Sequence, residues 1–186
     1  MIQAGFVLAG GKSSRMGRNK ALLPYRGRTL VEHIAEIVEN AAGSVSLVGD
    51  PETYSHLGYP VIEDVIPGCG PLSGIHAALC HTEADWNLIV ACDMPDLAAG
   101  FLASMLEHAE RGGADCLIPA GPSGLPEPLC AAYHRRCLEA ITRALARHVH
   151  KVTEGLAALD TEIWHVTEPV FQNLNTPQEW TGHGNG

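Results

Sequence analysis

The residues best suited to chemistry form a glycine- and cation-rich segment near the N-terminus. Residues 8–20 read LAGGKSSRMGRNK and follow the apolar run Phe6-Val7-Leu8. The adjacent Gly10 and Gly11 let the chain turn sharply and bring amide N–H groups close to a ligand. Arg15, Arg18 and Lys20 all lie within nine residues of Gly11 and can add full positive charges. Because backbone dipoles and nearby cations together suit a polyphosphate, this segment is predicted to bind phosphate.

Two familiar phosphate-binding motifs do not fit this segment. Gly11-Lys12-Ser13 matches the end of a Walker loop, but Phe6 stands where that loop requires its first glycine. The dinucleotide fingerprint fails as well, since Gly10 and Gly11 are adjacent and the next glycine is Gly17. A strand-to-helix turn that merely needs glycine is the alternative interpretation. The three neighbouring cations favour phosphate binding over that alternative.

Two carboxylates follow apolar runs later in the chain. Asp64 ends a predicted strand at 60–64, and Asp93 directly follows the most apolar run, at 86–92. Ligands of open α/β sheets bind beyond the carboxyl ends of the strands. Carboxylate and phosphate oxygens together form the hard octahedral shell that Mg²⁺ prefers, so Asp93 is the first choice for a magnesium ligand. The structural alternatives are an N-cap of the next helix for Asp93 and a loop acid for Asp64.

Strand and helix patterns alternate along the sequence. A capping box at Thr29 and apolar residues at helical spacing predict a helix that ends at Gly43. Further strands are predicted at 44–49, 60–64, 86–92, 115–118, 128–133 and 162–166. Further helices are predicted at 73–81, 98–111 and 137–145, with a short turn or helix at 51–57 and a possible short helix from Thr176-Pro177. This alternation indicates βαβ units and an α/β fold.

Length and composition predict one globular domain. The chain has 186 residues, 46% of them hydrophobic and 18% charged, and we expect a single domain over residues 1–180 with a frayed tail at 181–186. The net charge of −9 argues against a nucleic-acid-binding surface. Only 12 Lys and Arg serve the whole chain and five lie between positions 12 and 26, so the predicted basic site is local.

Cysteines and histidines show no metal-binding arrangement. The six cysteines include no Cys-x-x-Cys pair, and we expect most of them to be reduced and buried. The ten histidines are scattered, which favours structural or surface roles. The N-terminal apolar run ends too early for a signal peptide, and no stretch is typical of a membrane span. A cytoplasmic protein is the simplest expectation.

The motifs together resemble the molybdenum cofactor guanylyltransferases over nearly the whole chain. The resembling segments are LAGG at 8–11, SSRMG at 13–17, KALL at 20–23, GPLSGI at 70–75, CDMP at 92–95 and FQNLNTP at 171–177. Many nucleotidyltransferases share the first motif, including the cytidylyltransferase that modifies the same cofactor. The double glycine and the terminal Asn-x-Asn-Thr-Pro are more characteristic of the guanylyl branch. This chain departs at Gly49-Asp50, where members often carry an asparagine that contacts the nucleotide.

The resemblance implies a Rossmann-like three-layer nucleotidyltransferase fold, with a mostly parallel sheet and helices on both faces. The implied reaction transfers GMP from GTP to the terminal phosphate of molybdopterin, with Mg²⁺, and yields molybdopterin guanine dinucleotide and pyrophosphate. The implied catalytic residues are Arg15, Lys20 and Asp93, with Asp93 binding the metal. The implied GTP-binding residues are Leu8, Ala9, Gly10, Gly11, Lys20, Asp64 and Asp93. The implied molybdopterin-binding residues are Glu127, Asn173 and Asn175, although the two asparagines also suit a turn or helix cap.

The resemblance also implies partners. Cofactor-delivery proteins and molybdoenzyme chaperones are expected, whereas nucleic acid and membranes are not. A molybdopterin cytidylyltransferase or a sugar-phosphate nucleotidyltransferase would carry the same phosphate-binding segment. A catalytically inactive nucleotide-binding regulator is an alternative of another class, and the joint presence of Lys20 and Asp93 argues against it.

Overall fold

Helices and strands alternate along the part of the chain that the structure describes. The computed structural model describes residues 1–10, 19–64, 66, 70–167 and 171. The strands within these residues are β1 (Gln3–Leu8), β2 (Pro24–Tyr25), β3 (Arg28–Thr29), β4 (Val45–Val48), β5 (Val61–Ile62), β6 (Trp86–Ala91), β7 (Cys116–Ala120), β8 (Cys130–His134) and β9 (Thr161–His165). The α-helices within them are α1 (Leu30–Ala42), α2 (Pro51–Tyr54), α3 (Pro71–Cys80), α4 (Ala99–Arg111), α5 (Cys137–Ala146) and α6 (Val152–Gly155). Two 3₁₀ turns lie at Lys20–Leu22 and Ser55–Leu57.

Seven strands form one sheet in the order β5-β4-β1-β6-β8-β7-β9. β8 runs antiparallel to both of its neighbours, and every other neighbouring pair is parallel. The chain places β4 and β5 on one side of β1 and then returns to place β6 on the other side. The strand order therefore reverses beside β1 and β6, which is where ligands bind in open α/β sheets. The predicted α/β fold with a mostly parallel sheet is confirmed.

Helices cover both faces of this sheet and make three layers. Apolar residues of α1 and α4 pack with Val7 and Leu88 on one face. Those of α3 and α5 pack with Phe6 and Ile89 on the other face. All six residues of β6 are buried, because a parallel strand covered on both sides needs an apolar side chain at nearly every position. No helix in the described residues is both long and apolar enough to cross a membrane.

The first residue of α1 is set by a capping box between Thr29 and Glu32. The backbone N–H of Thr29 donates to the Glu32 carboxylate at 2.8 Å, and the backbone N–H of Glu32 donates to the Thr29 hydroxyl at 3.4 Å. This reciprocal cap satisfies two amides that the first helical turn leaves without partners. Gly43 ends the helix with a φ of +78°, which glycine adopts without a Cβ clash. The predicted helix and both of its ends are confirmed.

Several boundaries differ from the predictions for physical reasons. β5 has only two residues, whereas the pattern predicted a strand over 60–64. α3 begins at Pro71, two residues before the predicted start, because proline suits the first helical position, where no amide donor is needed. The β2–β3 hairpin and α6 were not predicted, since such short elements carry no periodic pattern. The helix predicted from Thr176-Pro177 and the tail at 181–186 lie outside the described residues.

Candidate active site

A cleft of about 530 Å³ lies at the carboxyl ends of β1, β4, β5 and β6. Six of the residues predicted from the sequence line it: Leu8, Ala9, Gly10, Lys20, Asp64 and Asp93. The sheet order explains this convergence, because parallel strands end at the same edge and the strand order reverses beside β1 and β6. Gly11 and Arg15, which were predicted to bind the phosphates, lie outside the described residues.

Lys20 and Asp93 face each other in the cleft. The Nζ atom of Lys20 lies 3.3 Å from Oδ2 of Asp93, and the two side chains are 16% and 26% exposed. The pair sets a lysine that the sequence predicts to bind phosphate beside a carboxylate of the kind that a hard metal ion prefers. The structural alternative for Asp93 is wrong, because the N-cap of α4 is Ala98 and not Asp93. Asp93 is thus presented to the cleft by the end of β6 and has no capping role for α4.

The backbone N–H groups of Ala9 and Gly10, at the end of β1, form hydrogen bonds to the neighbouring strand β4. The N–H groups of Ala9 and Gly10 both donate to the carbonyl of Val48, at 2.9 and 3.1 Å. These two donors are therefore engaged with β4. Ala9 and Gly10 line the cleft with their remaining atoms, and the charge offered to phosphate from the described residues comes from Lys20.

Asp64 is held in place from two sides. Its Oδ1 accepts the backbone N–H of Ile66 at 3.1 Å, and its Oδ2 accepts the hydroxyl of Ser73 at 2.7 Å. Ser73 lies in the first turn of α3, so the helix start and the end of β5 are joined at the rim of the cleft. Asp64 lies in the loop after β5, where two donors orient its carboxylate. The sequence pattern did not single out Ser73.

The position after β4 differs from the asparagine of the resembled family. Asp50 accepts the backbone N–H of Glu52 at 3.0 Å and the hydroxyl of Thr53 at 2.6 Å, so its carboxylate caps α2. A Cβ on Gly49 would lie 2.8 Å from the ring of Tyr54, a distance that ordinary Cβ contacts do not allow. Gly49 therefore lines the cleft with backbone alone.

On the predicted acceptor side, Glu127 lies beside the strand that borders the cleft. Its Oε1 accepts the backbone N–H of Leu129 at 3.3 Å, and Leu129 lines the cleft. Asn173 and Asn175 lie outside the described residues. The structure thus places one of the three predicted molybdopterin-binding residues next to the cleft.

The carboxylates in the cleft suit a hard cation that takes its remaining ligands from substrate and water. No group of three His, Cys, Asp or Glu converges to hold a metal among the described residues. Asp93 and Asp64 line the same cleft, and Mg²⁺ is usually held by one or two carboxylates together with substrate phosphates and water. Burial raises the pKa of the neighbouring Cys92 to about 12, so its thiol stays protonated at neutral pH and is a poor metal ligand.

Two further side chains of the site were missed by sequence reasoning. The Asn19 side chain accepts the N–H of Ala21 at 3.1 Å and caps the 3₁₀ turn that begins at Lys20. Asn19 also donates to the hydroxyl of Tyr54 at 2.9 Å. An asparagine before a turn is a recognisable capping signal. Tyr54 carries no local signal, because its partners are distant in sequence.

Two histidines, His76 in α3 and His134 at the end of β8, predict a loss of stability in mild acid. Burial lowers the pKa of His76 below its ordinary value of 6.5, an effect that Asp64 partly opposes, and burial likewise lowers the pKa of His134. The unfolded chain therefore takes up these protons at a higher pH than the folded protein. This contribution to stability is complete above the unfolded pKa and is lost as the pH falls from there through the lower pKa of the folded protein. We expect a lower Tm at pH of about 5.5 than at about 7.5.

His76→Gln tests the source of this pH dependence. Glutamine cannot take up a proton, so the difference in Tm between the two pH values should be smaller in the variant, as measured by scanning fluorimetry. His56→Gln, at an exposed position, is the matched control and should behave as the parent protein does. An unchanged pH dependence in His76→Gln would assign the loss to other groups.

Comparisons with known proteins agree with this geometry. A family model described as the MobA-like NTP transferase domain matches residues 5–161. A probable molybdenum cofactor guanylyltransferase from Clostridium perfringens is 39% identical, over 94% of this chain and 92% of that protein. The crystal structure of molybdopterin-guanine dinucleotide biosynthesis protein A from Archaeoglobus fulgidus has a TM-score of 0.83 at 28% identity, over 97% of this chain and 96% of that chain.

A more distant structure shows the same fold. The Mycobacterium tuberculosis protein Rv0371c, crystallised as a complex with manganese, has a TM-score of 0.71 at 18% identity, over 99% of this chain and 98% of that chain. The family resemblance seen in the sequence is confirmed by the family model and by the Clostridium relative. The chain belongs to the MobA-like NTP transferase family and is a nucleotidyltransferase related to the molybdenum cofactor guanylyltransferases.

Proposed function

We propose that the protein transfers GMP from GTP to the terminal phosphate of molybdopterin, forming molybdopterin guanine dinucleotide and pyrophosphate. The observation that carries the proposal is the Lys20–Asp93 pair in a cleft at the switch point of the sheet. The names of the relatives support the choice of substrates. The lysine in the cleft and the cleft volume of about 530 Å³ support a nucleoside triphosphate as one of them.

The proposed chemistry is a direct nucleotidyl transfer, without a covalent enzyme intermediate. An oxygen of the molybdopterin phosphate attacks the α-phosphorus of GTP and forms a new P–O bond. The bond from that phosphorus to the oxygen bridging to the β-phosphate breaks, and pyrophosphate leaves with the electron pair. The step needs no nucleophilic side chain, so the protein has to align two anions and neutralise their charge.

Residues of the cleft meet these two requirements. Lys20 would bind triphosphate oxygens as a point charge, and its ion pair with Asp93 holds it at the centre of the cleft. Leu8, Val48 and Ala91 line the same cleft with apolar atoms, which strengthens electrostatic contacts by excluding water. Asp93, with Asp64 nearby on the cleft wall, would hold Mg²⁺. When bound, such an ion neutralises charge on the triphosphate.

The remaining parts of the proposal concern the second substrate and the cellular setting. Glu127, Asn173 and Asn175 are proposed to contact molybdopterin, and Gly11 and Arg15 the nucleotide. Delivery proteins for the cofactor and chaperones of molybdoenzymes are the proposed partners, in the cytoplasm. A single domain over residues 1–180 is proposed to carry the whole reaction.

A nucleotide panel tests the proposed reaction. Protein with Mg²⁺ and molybdopterin is given GTP, CTP, ATP or UTP, and pyrophosphate release and product mass are measured. We expect turnover with GTP and a product that is heavier than molybdopterin by one GMP unit. The Asp93→Asn protein provides the background rate.

Each other outcome of the panel favours a named alternative. A preference for CTP would identify a molybdopterin cytidylyltransferase. Turnover with a sugar phosphate and not with molybdopterin would identify a sugar-phosphate nucleotidyltransferase. Binding of nucleotide without turnover would favour a regulator without catalytic activity.

A further inference from the structure

Tyr54 connects the end of β1 to the turn that begins at Lys20. It lies at the end of α2 and is 2% exposed. Its hydroxyl lies 2.7 Å from the carbonyl oxygen of Ala9 and 2.9 Å from Nδ2 of Asn19. A carbonyl only accepts and a hydroxyl has one proton, so Tyr54 donates to Ala9 and accepts from Asn19. Both hydrogen-bonding directions of this buried hydroxyl are therefore used.

Asn19 carries the connection on to the cleft. Its Oδ1 accepts the backbone N–H of Ala21 at 3.1 Å, so both ends of the side-chain amide are held. The next residue is Lys20, which begins the 3₁₀ turn that Asn19 caps. The end of β1, the ring of Tyr54 and the turn that carries the cleft lysine are thus joined by consecutive hydrogen bonds.

The ring of Tyr54 is packed tightly against Gly49, which restricts its position. A Cβ on Gly49 would lie 2.8 Å from the ring, so the ring occupies the space that a side chain after β4 would need. Burial raises the pKa of Tyr54, which keeps the hydroxyl a neutral donor at physiological pH. Gly49 and Lys20 both line the cleft, so the ring packs directly against a residue of the site.

We propose that Tyr54 is a positioning residue for the nucleotide-binding lysine, acting through Asn19 to hold the backbone of Lys20 at the cleft. The inference rests on the proposed function, because it assigns a use to the charge of Lys20. Lysine has a long flexible stem, so the location of its ammonium group depends on how firmly its backbone is held. A small displacement of such a group lowers the rate of a reaction that depends on alignment.

A double-mutant cycle separates positioning from simple packing. Tyr54→Phe keeps the ring and removes the hydroxyl, and we expect kcat/KM for GTP to fall about tenfold at a temperature well below unfolding. In a Lys20→Ala background the same change should lower kcat/KM by less than about twofold, because the group that Tyr54 positions is already absent. Tyr59→Phe makes the same chemical change at a half-buried tyrosine outside this chain of hydrogen bonds, and should match the parent.

A second variant keeps the test valid if Tyr54→Phe folds poorly. Asn19→Ser retains a short acceptor for the capped turn and removes the donor to Tyr54. Since Asn19 is exposed, we expect this protein to fold with an unchanged circular dichroism spectrum and to lose activity to a similar degree as Tyr54→Phe.

The outcomes distinguish this inference from the proposed function. If Lys20→Ala alone binds and turns over GTP as the parent does, the proposed role of Lys20 fails. If Lys20→Ala is impaired but Tyr54→Phe and Asn19→Ser behave as the parent does, only the positioning inference is overturned. Equal fold-losses for Tyr54→Phe in both backgrounds would also overturn it, because Tyr54 would then act independently of Lys20.

Discussion

Replacing Asp93 by asparagine should lower kcat about a thousandfold while the protein stays folded. Asparagine has nearly the same size and keeps an oxygen, but it lacks the negative charge that suits a hard metal ion and that faces Lys20 at 3.3 Å. Asp93 is 26% exposed and does not cap α4, so the fold has little dependence on its charge. Pyrophosphate release with saturating GTP and molybdopterin measures the loss, and circular dichroism measures the fold.

Asp85→Asn is the matched control for this variant. Asp85 directly precedes β6, so the same chemical change is made at the opposite end of the same strand. Its Oδ2 accepts the backbone N–H of Ile2 at 3.1 Å, a contact that asparagine can retain. We expect this control to turn over at close to the parent rate. An Asp93→Asn protein within about threefold of the parent would show that this carboxylate does not contribute to charge neutralisation in the reaction.

Replacing Lys20 by alanine should lower kcat/KM for GTP about a hundredfold. The ammonium group is 16% exposed and lies in the cleft, where partial exclusion of water strengthens its attraction to phosphate oxygens. Because the triphosphate is charged both before and during the reaction, we expect KM for GTP to rise as well as kcat to fall. Steady-state kinetics and direct titration of nucleotide binding give the two effects separately.

Lys151→Ala provides the same substitution at a lysine that does not line the cleft. Lys151 is 77% exposed and lies 3.0 Å from Glu154 in a surface ion pair, and such pairs contribute about 1 kcal/mol or less to stability. We expect its kinetics to be unchanged. Unaltered affinity for GTP in Lys20→Ala would mean that the triphosphate does not contact this lysine, and the proposed orientation of the nucleotide would be wrong.

Local patterns in the sequence predicted the longer elements and their order along the chain. The capping box at Thr29 and the glycine at Gly43 bound α1 at both ends because caps depend on neighbouring residues only. The apolar run at 86–92 predicted a central strand, since full burial on both faces demands such a run. The strand-end rule then placed Asp93 at the ligand-binding edge without knowledge of strand order. Motif resemblance added the family and the reaction class.

Strand order and side-chain partners were decided by the tertiary structure alone. The antiparallel direction of β8 and the engagement of the Ala9 and Gly10 amides by Val48 depend on which strands become neighbours. Residues far apart in sequence meet only when the sheet forms, as Lys20 does with Asp93.

The hydrogen bonds of Tyr54 likewise form only when distant segments of the chain pack together. Its hydroxyl reaches Ala9 across 45 positions of sequence, and no periodicity or spacing rule encodes such a contact. The sequence by itself therefore predicted which residues could bind phosphate and metal. The packed sheet decided which of the described residues share one cleft and what holds them there, because close packing of distant segments sets those distances.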